Sequence, residues 1–240
     1  MNILTVGNSF SEDSGRYLHR IARADKFNLE TINLYIGGCP LDSHFRNMLG
    51  DKKDYVLTPN GEFSSFFVTL KEALLNRNWD YISIQQASLK SAFYDTYQPY
   101  LNELVSYFRK MCPSAKIIIH QTWGYEEGSE MMKSIGFSNH TEMFAKIEES
   151  YDKAFRDSKA DLLIPSGKLI SMMYEKGLKM HRDGFHLSYG LGRYAAGLLW
   201  YRLLSGNDVT SNSFSDFDEE VSPEEIRIAK ECVEELVKSL

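Results

Sequence analysis

Apolar positions fall along this chain in two alternating rhythms. Short continuous runs at 2 to 6 (NILTV), 31 to 36 (TINLYI), 80 to 85 (DYISIQ), 116 to 121 (KIIIHQ) and 161 to 164 (DLLI) read as strands covered on both faces. Between them apolar residues recur at helical spacing: Tyr17, Leu18, Ile21 and Ala22; Phe66, Phe67, Leu70, Ala73 and Leu74; Tyr100, Leu101, Leu104, Val105 and Phe108. Two further stripes follow, Met143, Phe144, Ile147, Tyr151, Ala154 and Phe155, then Leu191, Tyr194, Ala195, Leu198 and Leu199. Strand and helix alternating five times predicts parallel pairing with right-handed crossovers. The fold class is therefore α/β: a three-layer α/β/α sandwich around a five-stranded parallel, flavodoxin-like sheet of order 2-1-3-4-5.

Three stretches add detail. Ser222-Pro223-Glu224-Glu225 is a capping box with proline at the first helical position, so a last helix starts there. Pro59-Asn60-Gly61 marks a tight turn and predicts a small hairpin near 50 to 62, beside the sheet edge. Residues 122 to 140 bear glycines and lack a period, which suits an active-site loop after the fourth strand. With no repeats or linkers, residues 1 to 240 read as one domain.

Composition narrows the function classes. With 43% hydrophobic and 25% charged residues the chain is of the ordinary globular kind, and no uncharged apolar run of about 18 residues suggests a membrane span. Residues 1 to 8 enter a strand directly rather than a signal-peptide apolar region, and the compartment stays open. A net charge of -6 without a basic stripe argues against nucleic acid as a partner. Cys39, Cys112 and Cys232 are odd in number and far apart, so neither disulfides nor a zinc site is expected, and no cofactor is called for. Oligomeric state is not legible.

The chemistry concentrates at two places. Gly7-Asn8-Ser9 is a strand-to-helix turn at the carboxyl end of the first strand, where open α/β sheets bind ligands. Far downstream, Asp183 and His186 stand three apart around Gly184, a spacing at which a carboxylate can orient an imidazole and leave its other nitrogen to accept a proton. A serine nucleophile needs such a base, and Ser9 is the best-placed serine. The G-x-S-x-G turn of α/β-hydrolases is absent, because position 11 is serine. Singly, each element has a plainer reading: a helix cap, a surface turn, strand-end glutamines. The inferred sheet brings them to one carboxyl edge, and the conjunction favours a site.

Gly7-Asn8-Ser9-Phe10-Ser11 with Asp183-x-x-His186 resembles the SGNH, or GDSL-type, serine hydrolases over nearly the whole chain, in a branch with GNSFS for GDS and Gln85-Gln86 after the third strand. The resemblance implies Ser9 as nucleophile, His186 as general base, Asp183 as its orienting partner, and backbone donors to the oxyanion from Ser9 and Gly38. It implies no catalytic role for Asn8. In place of the family's G-x-N-D block stands Gln85-Gln86-Ala87-Ser88, so a glutamine amide is expected as third donor, Gln86 ahead of Gln85. Trp123 and Tyr125, after the fourth strand, are expected to wall a substrate pocket and stack on a sugar, with core packing the even alternative. Together these imply a serine esterase removing a small acyl group, acetyl first, from a carbohydrate or related hydroxyl compound, with a small-molecule ester as partner. A non-catalytic glycan-binding module on the same scaffold is the rival.

Overall fold

The structure, a computed structural model, describes all 240 residues. Its strands are β1 (Asn2–Gly7), β2 (Glu30–Tyr35), β3 (Tyr55–Pro59), β4 (Phe67–Val68), β5 (Tyr81–Ile84), β6 (Lys116–His120) and β7 (Leu162–Ile164). Its helices are α1 (Ser9–Gly15), α2 (Leu18–Ala24), α3 (Leu41–Leu49), α4 (Leu70–Leu75), α5 (Tyr100–Met111), α6 (Glu130–Ser134), α7 (His140–Ser158), α8 (Ser166–Glu175), α9 (Leu191–Ser205) and α10 (Pro223–Lys238). No helix is long and apolar enough to cross a membrane.

The sheet runs β4-β3-β2-β1-β5-β6-β7. Its parallel part, β2-β1-β5-β6-β7, is the predicted 2-1-3-4-5 order, with β1 paired in parallel to both β2 and β5. The hairpin differs from expectation. It continues the sheet, β3 pairing antiparallel to β2 and β4 to β3, rather than sitting beside the edge. Its turn holds Asn60 and Gly61 at positive φ, 52° and 82°, and a Cβ on Gly61 would lie 2.3 Å from the Arg16 carbonyl oxygen. Phe66 and Phe67 mimic a helical stripe but serve the exposed hairpin; α4 starts only after Thr69, which forms a capping box with Glu72.

Helices α1, α2, α8, α9 and α10 cover one face of the sheet, and α3, α4, α5 and α7 the other. Helix α9 is buried on nearly every side because α10 packs over it, with Ala229, Cys232, Val233 and Leu236 turned inward. The loops after β1, β2, β5 and β6 therefore leave the sheet at one edge. That edge holds the functional groups.

Four histidines are buried, among them His44, whose Nδ1 is 2.9 Å from the Tyr55 hydroxyl; His120; and His181, 3.0 Å from the Gly124 carbonyl. Burial lowers the pKa values of these three to about 4, about 3 and about 4 respectively. Folding thus keeps them neutral while the unfolded chain takes protons below about pH 6.5, so stability falls as pH drops through the window from about 6.5 to about 4. Thermal melts at pH 7.5, 6 and 5 should show a falling Tm, each histidine withdrawing about 2 kcal/mol by pH 5. The variant His120→Gln should flatten that slope; a wild-type Tm independent of pH over this range would contradict the assignment.

Candidate active site

β1 ends in Gly7, whose missing side chain lets α1 begin hard against the strand end: a Cβ there would lie 2.5 Å from the Ser11 hydroxyl. Asn8 is the N-cap, its Oδ1 accepting the Phe10 N–H at 3.0 Å, and Ser9 is the first helical residue. The N–H of Ser9 consequently has no intrahelical acceptor. On the opposite side of the opening, Asp183 starts a tight turn through Gly184, at φ 87°. Its Oδ1 accepts the backbone N–H groups of His186 and Phe185 at 2.8 and 3.3 Å.

These two turns meet. The Ser9 Oγ lies 2.8 Å from His186 Nε2, and His186 Nδ1 lies 2.7 Å from Asp183 Oδ2. Burial works to raise the Asp183 carboxyl, but the hydrogen bonds from the His186 ring and backbone outweigh it and hold the group below its ordinary value. It stays an anion at neutral pH and fixes the imidazole with Nε2 toward the hydroxyl. The array opens into a cleft of about 430 Å³, lined by Ser9 and His186 and by Gly38, Ser88 and Phe185.

Gly38, at φ 61° in the loop after β2, places a backbone N–H without a protein acceptor at this cleft. The glutamines do something else. Gln86 is fully buried, its Oε1 accepting the Leu41 and Ala87 N–H groups at 3.0 and 2.9 Å and its Nε2 donating to the Thr96 carbonyl and hydroxyl at 3.1 Å. The expectation of an oxyanion donor at Gln86 is corrected accordingly: its amide ties the α3 start to the 96 loop. Gln85 donates to Asn8 Oδ1 at 3.0 Å while its Oε1 meets His120 Nδ1 at 2.6 Å, so it steadies the cap beneath Ser9 rather than facing substrate. Asn8 in turn donates to the Cys39 carbonyl at 3.2 Å, joining the Gly38 loop to the start of α1. The side chain that does face the cleft is Ser88. Its Oγ accepts from the Tyr125 hydroxyl at 2.9 Å, which leaves its own proton to donate.

Trp123 and Tyr125 are also corrected, since both are fully buried and neither lines the cleft. Trp123 stacks on Phe10 with ring centroids 4.3 Å apart and donates to the Phe185 carbonyl at 2.9 Å; Tyr125 meets Phe185 edge-on. They buttress the two turns from behind. They offer no face to a sugar.

Comparison with known proteins bears on this arrangement. The profile of DUF4886, a domain of unknown function, matches residues 2–235. The chain belongs to the DUF4886 family. A DUF4886 family protein from Bacteroides uniformis ATCC 8492 is 32% identical, with a TM-score of 0.92 over 99% of this chain and 95% of that one. A protein named as a candidate SGNH hydrolase from Slackia heliotrinireducens is 22% identical, with a TM-score of 0.63 over 85% and 98%. The lipase/acylhydrolase from Enterococcus faecalis is 14% identical, with a TM-score of 0.53 over 86% and 96%. At these last two identities the likeness is one of fold. No curated protein sequence matches the chain.

What sets the two turns against each other in this DUF4886 chain is Asp13, one turn along α1 from Ser9. Its fully buried carboxylate accepts Arg182 Nη1 at 3.0 Å, Arg193 Nε at 2.8 Å and the Leu187 N–H at 3.1 Å. Leu187 follows His186, and Arg182 reaches the Leu187 carbonyl as well as donating its own N–H to the His186 carbonyl at 3.0 Å. The sequence marked Asp13 only as an acidic residue near a helix start, because its partners lie 169 to 180 residues away. Removing one partner of such a buried cluster leaves uncompensated charge. Asp13→Ala should cost about 3–5 kcal/mol in denaturant unfolding. A variant unfolding at the wild-type midpoint would show that the cluster does not hold the two segments together.

Proposed function

We propose that the chain is a serine ester hydrolase of the SGNH type, removing a small acyl group, acetyl in the simplest case, from a hydroxyl of a carbohydrate or related compound. The observation that carries the reading is the unbroken hydrogen-bonded series from Ser9 Oγ through His186 to Asp183, at 2.8 and 2.7 Å. A serine hydroxyl is a weak nucleophile on its own, and an imidazole at hydrogen-bond distance with a carboxylate behind it is the arrangement that activates one. The fold shared with lipases and acylhydrolases supports the reaction class.

In this reading Ser9 Oγ attacks the ester carbonyl carbon while His186 Nε2 takes its proton, and Asp183 stabilises the imidazolium that forms. The charge developing on the carbonyl oxygen meets the N–H groups of Ser9 and Gly38, with the Ser88 hydroxyl in the place expected for a glutamine. His186 then gives its proton to the departing alcohol. A water, deprotonated by the same nitrogen, attacks the acyl-enzyme and frees Ser9. The binding-module rival is not favoured, because holding a glycan needs no imidazole bridging a hydroxyl and a carboxylate.

Steady-state hydrolysis of 4-nitrophenyl acetate tests the reading. Ser9→Ala should lower kcat by about a thousandfold or more, with His186→Ala close behind. Wild-type turnover in Ser9→Ala would remove Ser9 from the mechanism.

A further inference from the structure

The triad and its oxyanion donors leave two polar groups in the cleft without a task. Glu12 follows Ser9 by three residues on α1 and lines the cleft beside it, with a side chain only 19% exposed. Its carboxylate receives no hydrogen bond from the protein; the nearest cationic atom, Arg193 Nη2, is 3.8 Å away, and that guanidinium is already engaged by Asp13 and Asp218. Tyr35, the last residue of β2, lines the same cleft, and its hydroxyl has no partner either. The Tyr35 hydroxyl feels the charge of Glu12. Burial, then the charge of Asp13, raises the Glu12 carboxyl, and burial, then the charge of Glu12, raises the Tyr35 hydroxyl.

The Glu12 carboxylate is largely withdrawn from water and the Tyr35 hydroxyl less so, and both line the cleft without a hydrogen-bond partner from the protein, so a ligand there can supply one. Ala87, Leu89, Met131 and Phe185 line the same cleft with apolar surface. An ester has two ends, and a cleft that offers both polar and apolar side chains can sort them.

We propose that Glu12 and Tyr35 form the subsite for the alcohol end of the substrate and that this end is a neutral polyhydroxy compound. The proposal rests on the hydrolase reading above and adds to it the residues that would hold the alcohol end. A carboxylate accepts hydrogen bonds and cannot donate while ionised, so its ligand must carry donors. Hydroxyl and ammonium groups both qualify. The guanidinium of Arg182 lines the same cleft, and that of Arg193 lies 3.8 Å from Glu12, and both weigh against a cationic ligand there. Hydroxyls are favoured, two of them on neighbouring carbons being able to share the two oxygens of Glu12, with Tyr35 as donor or acceptor to a third.

The experiment compares three acetyl esters with one leaving chemistry each: 4-nitrophenyl acetate, a mixture of mono-O-acetylated methyl glucosides, and acetylcholine. Wild type, Glu12→Ala, Glu12→Gln and Tyr35→Phe are assayed by acetate release, with kcat and KM separated. The ratio of kcat/KM for the sugar esters to that for 4-nitrophenyl acetate should fall about 10- to 100-fold in Glu12→Ala, the size of a lost hydrogen bond to a charged group. Glu12→Gln, which keeps one acceptor oxygen, and Tyr35→Phe should fall less, and the sugar-ester KM should rise in all three. An unchanged ratio in Glu12→Ala overturns the subsite. So does a wild-type enzyme that cleaves 4-nitrophenyl acetate but no sugar ester, or that prefers acetylcholine; in these cases the serine-hydrolase chemistry stands, and the carbohydrate alcohol falls with the subsite. A wild type inert on all three esters removes both.

Discussion

The grip of Asp13 on Arg182, Arg193 and the Leu187 N–H is the interaction on which the rest of the site depends. Ser9 and His186 are separated by 177 residues, and the sheet alone brings them only to the same rim. Fixing a hydroxyl and an imidazole at hydrogen-bond distance requires that the helix carrying one be locked to the loop carrying the other. Asp13 does this from inside α1, four residues beyond Ser9. The cost of burying its charge is offset by two guanidiniums and a backbone donor, and Tyr189 lies against both guanidiniums at 4.5 and 4.6 Å.

A second buried chain supports the other half of the opening. His120 contacts Gln85, Gln85 donates to Asn8, and Asn8 both caps α1 and holds the loop of Gly38 through the Cys39 carbonyl. Asn8 therefore sets the Ser9 N–H and the Gly38 N–H relative to one another, although it touches no reacting atom. Trp123 and Tyr125 complete the support by packing and by hydrogen bonds to the Phe185 carbonyl and the Ser88 hydroxyl. This edge of the sheet is thus a set of short turns held from beneath by buried groups.

Much of this was legible in the residue order. Continuous apolar runs gave the parallel strands and their order, since only strands covered on both faces lack a polar alternation. Gly7-Asn8-Ser9 and Asp183-x-x-His186 were legible as turns because their geometry is local. The misreadings share a cause. Phe66 and Phe67 sit at helical spacing from Leu70 and Leu74 yet belong to an edge hairpin, whose exposure periodicity does not record. Gln86 looked like a donor into the cleft, but its partners, Leu41 and Thr96, come from segments 45 residues before and ten after it. The same holds for Asp13 and Glu12: adjacent acidic residues on one helix turn, one sealed among arginines and the other left open, a difference decided entirely by distant chain.

The central claim, that a basic group has made the hydroxyl of Ser9 a nucleophile, is tested most directly by fluorophosphonate treatment of the intact protein followed by peptide mass spectrometry. The account predicts a single phosphonyl adduct, carried by the peptide and residue of Ser9, and none after prior loss of His186. An unmodified protein, or an adduct on Ser11 or Ser88 in its place, would contradict it.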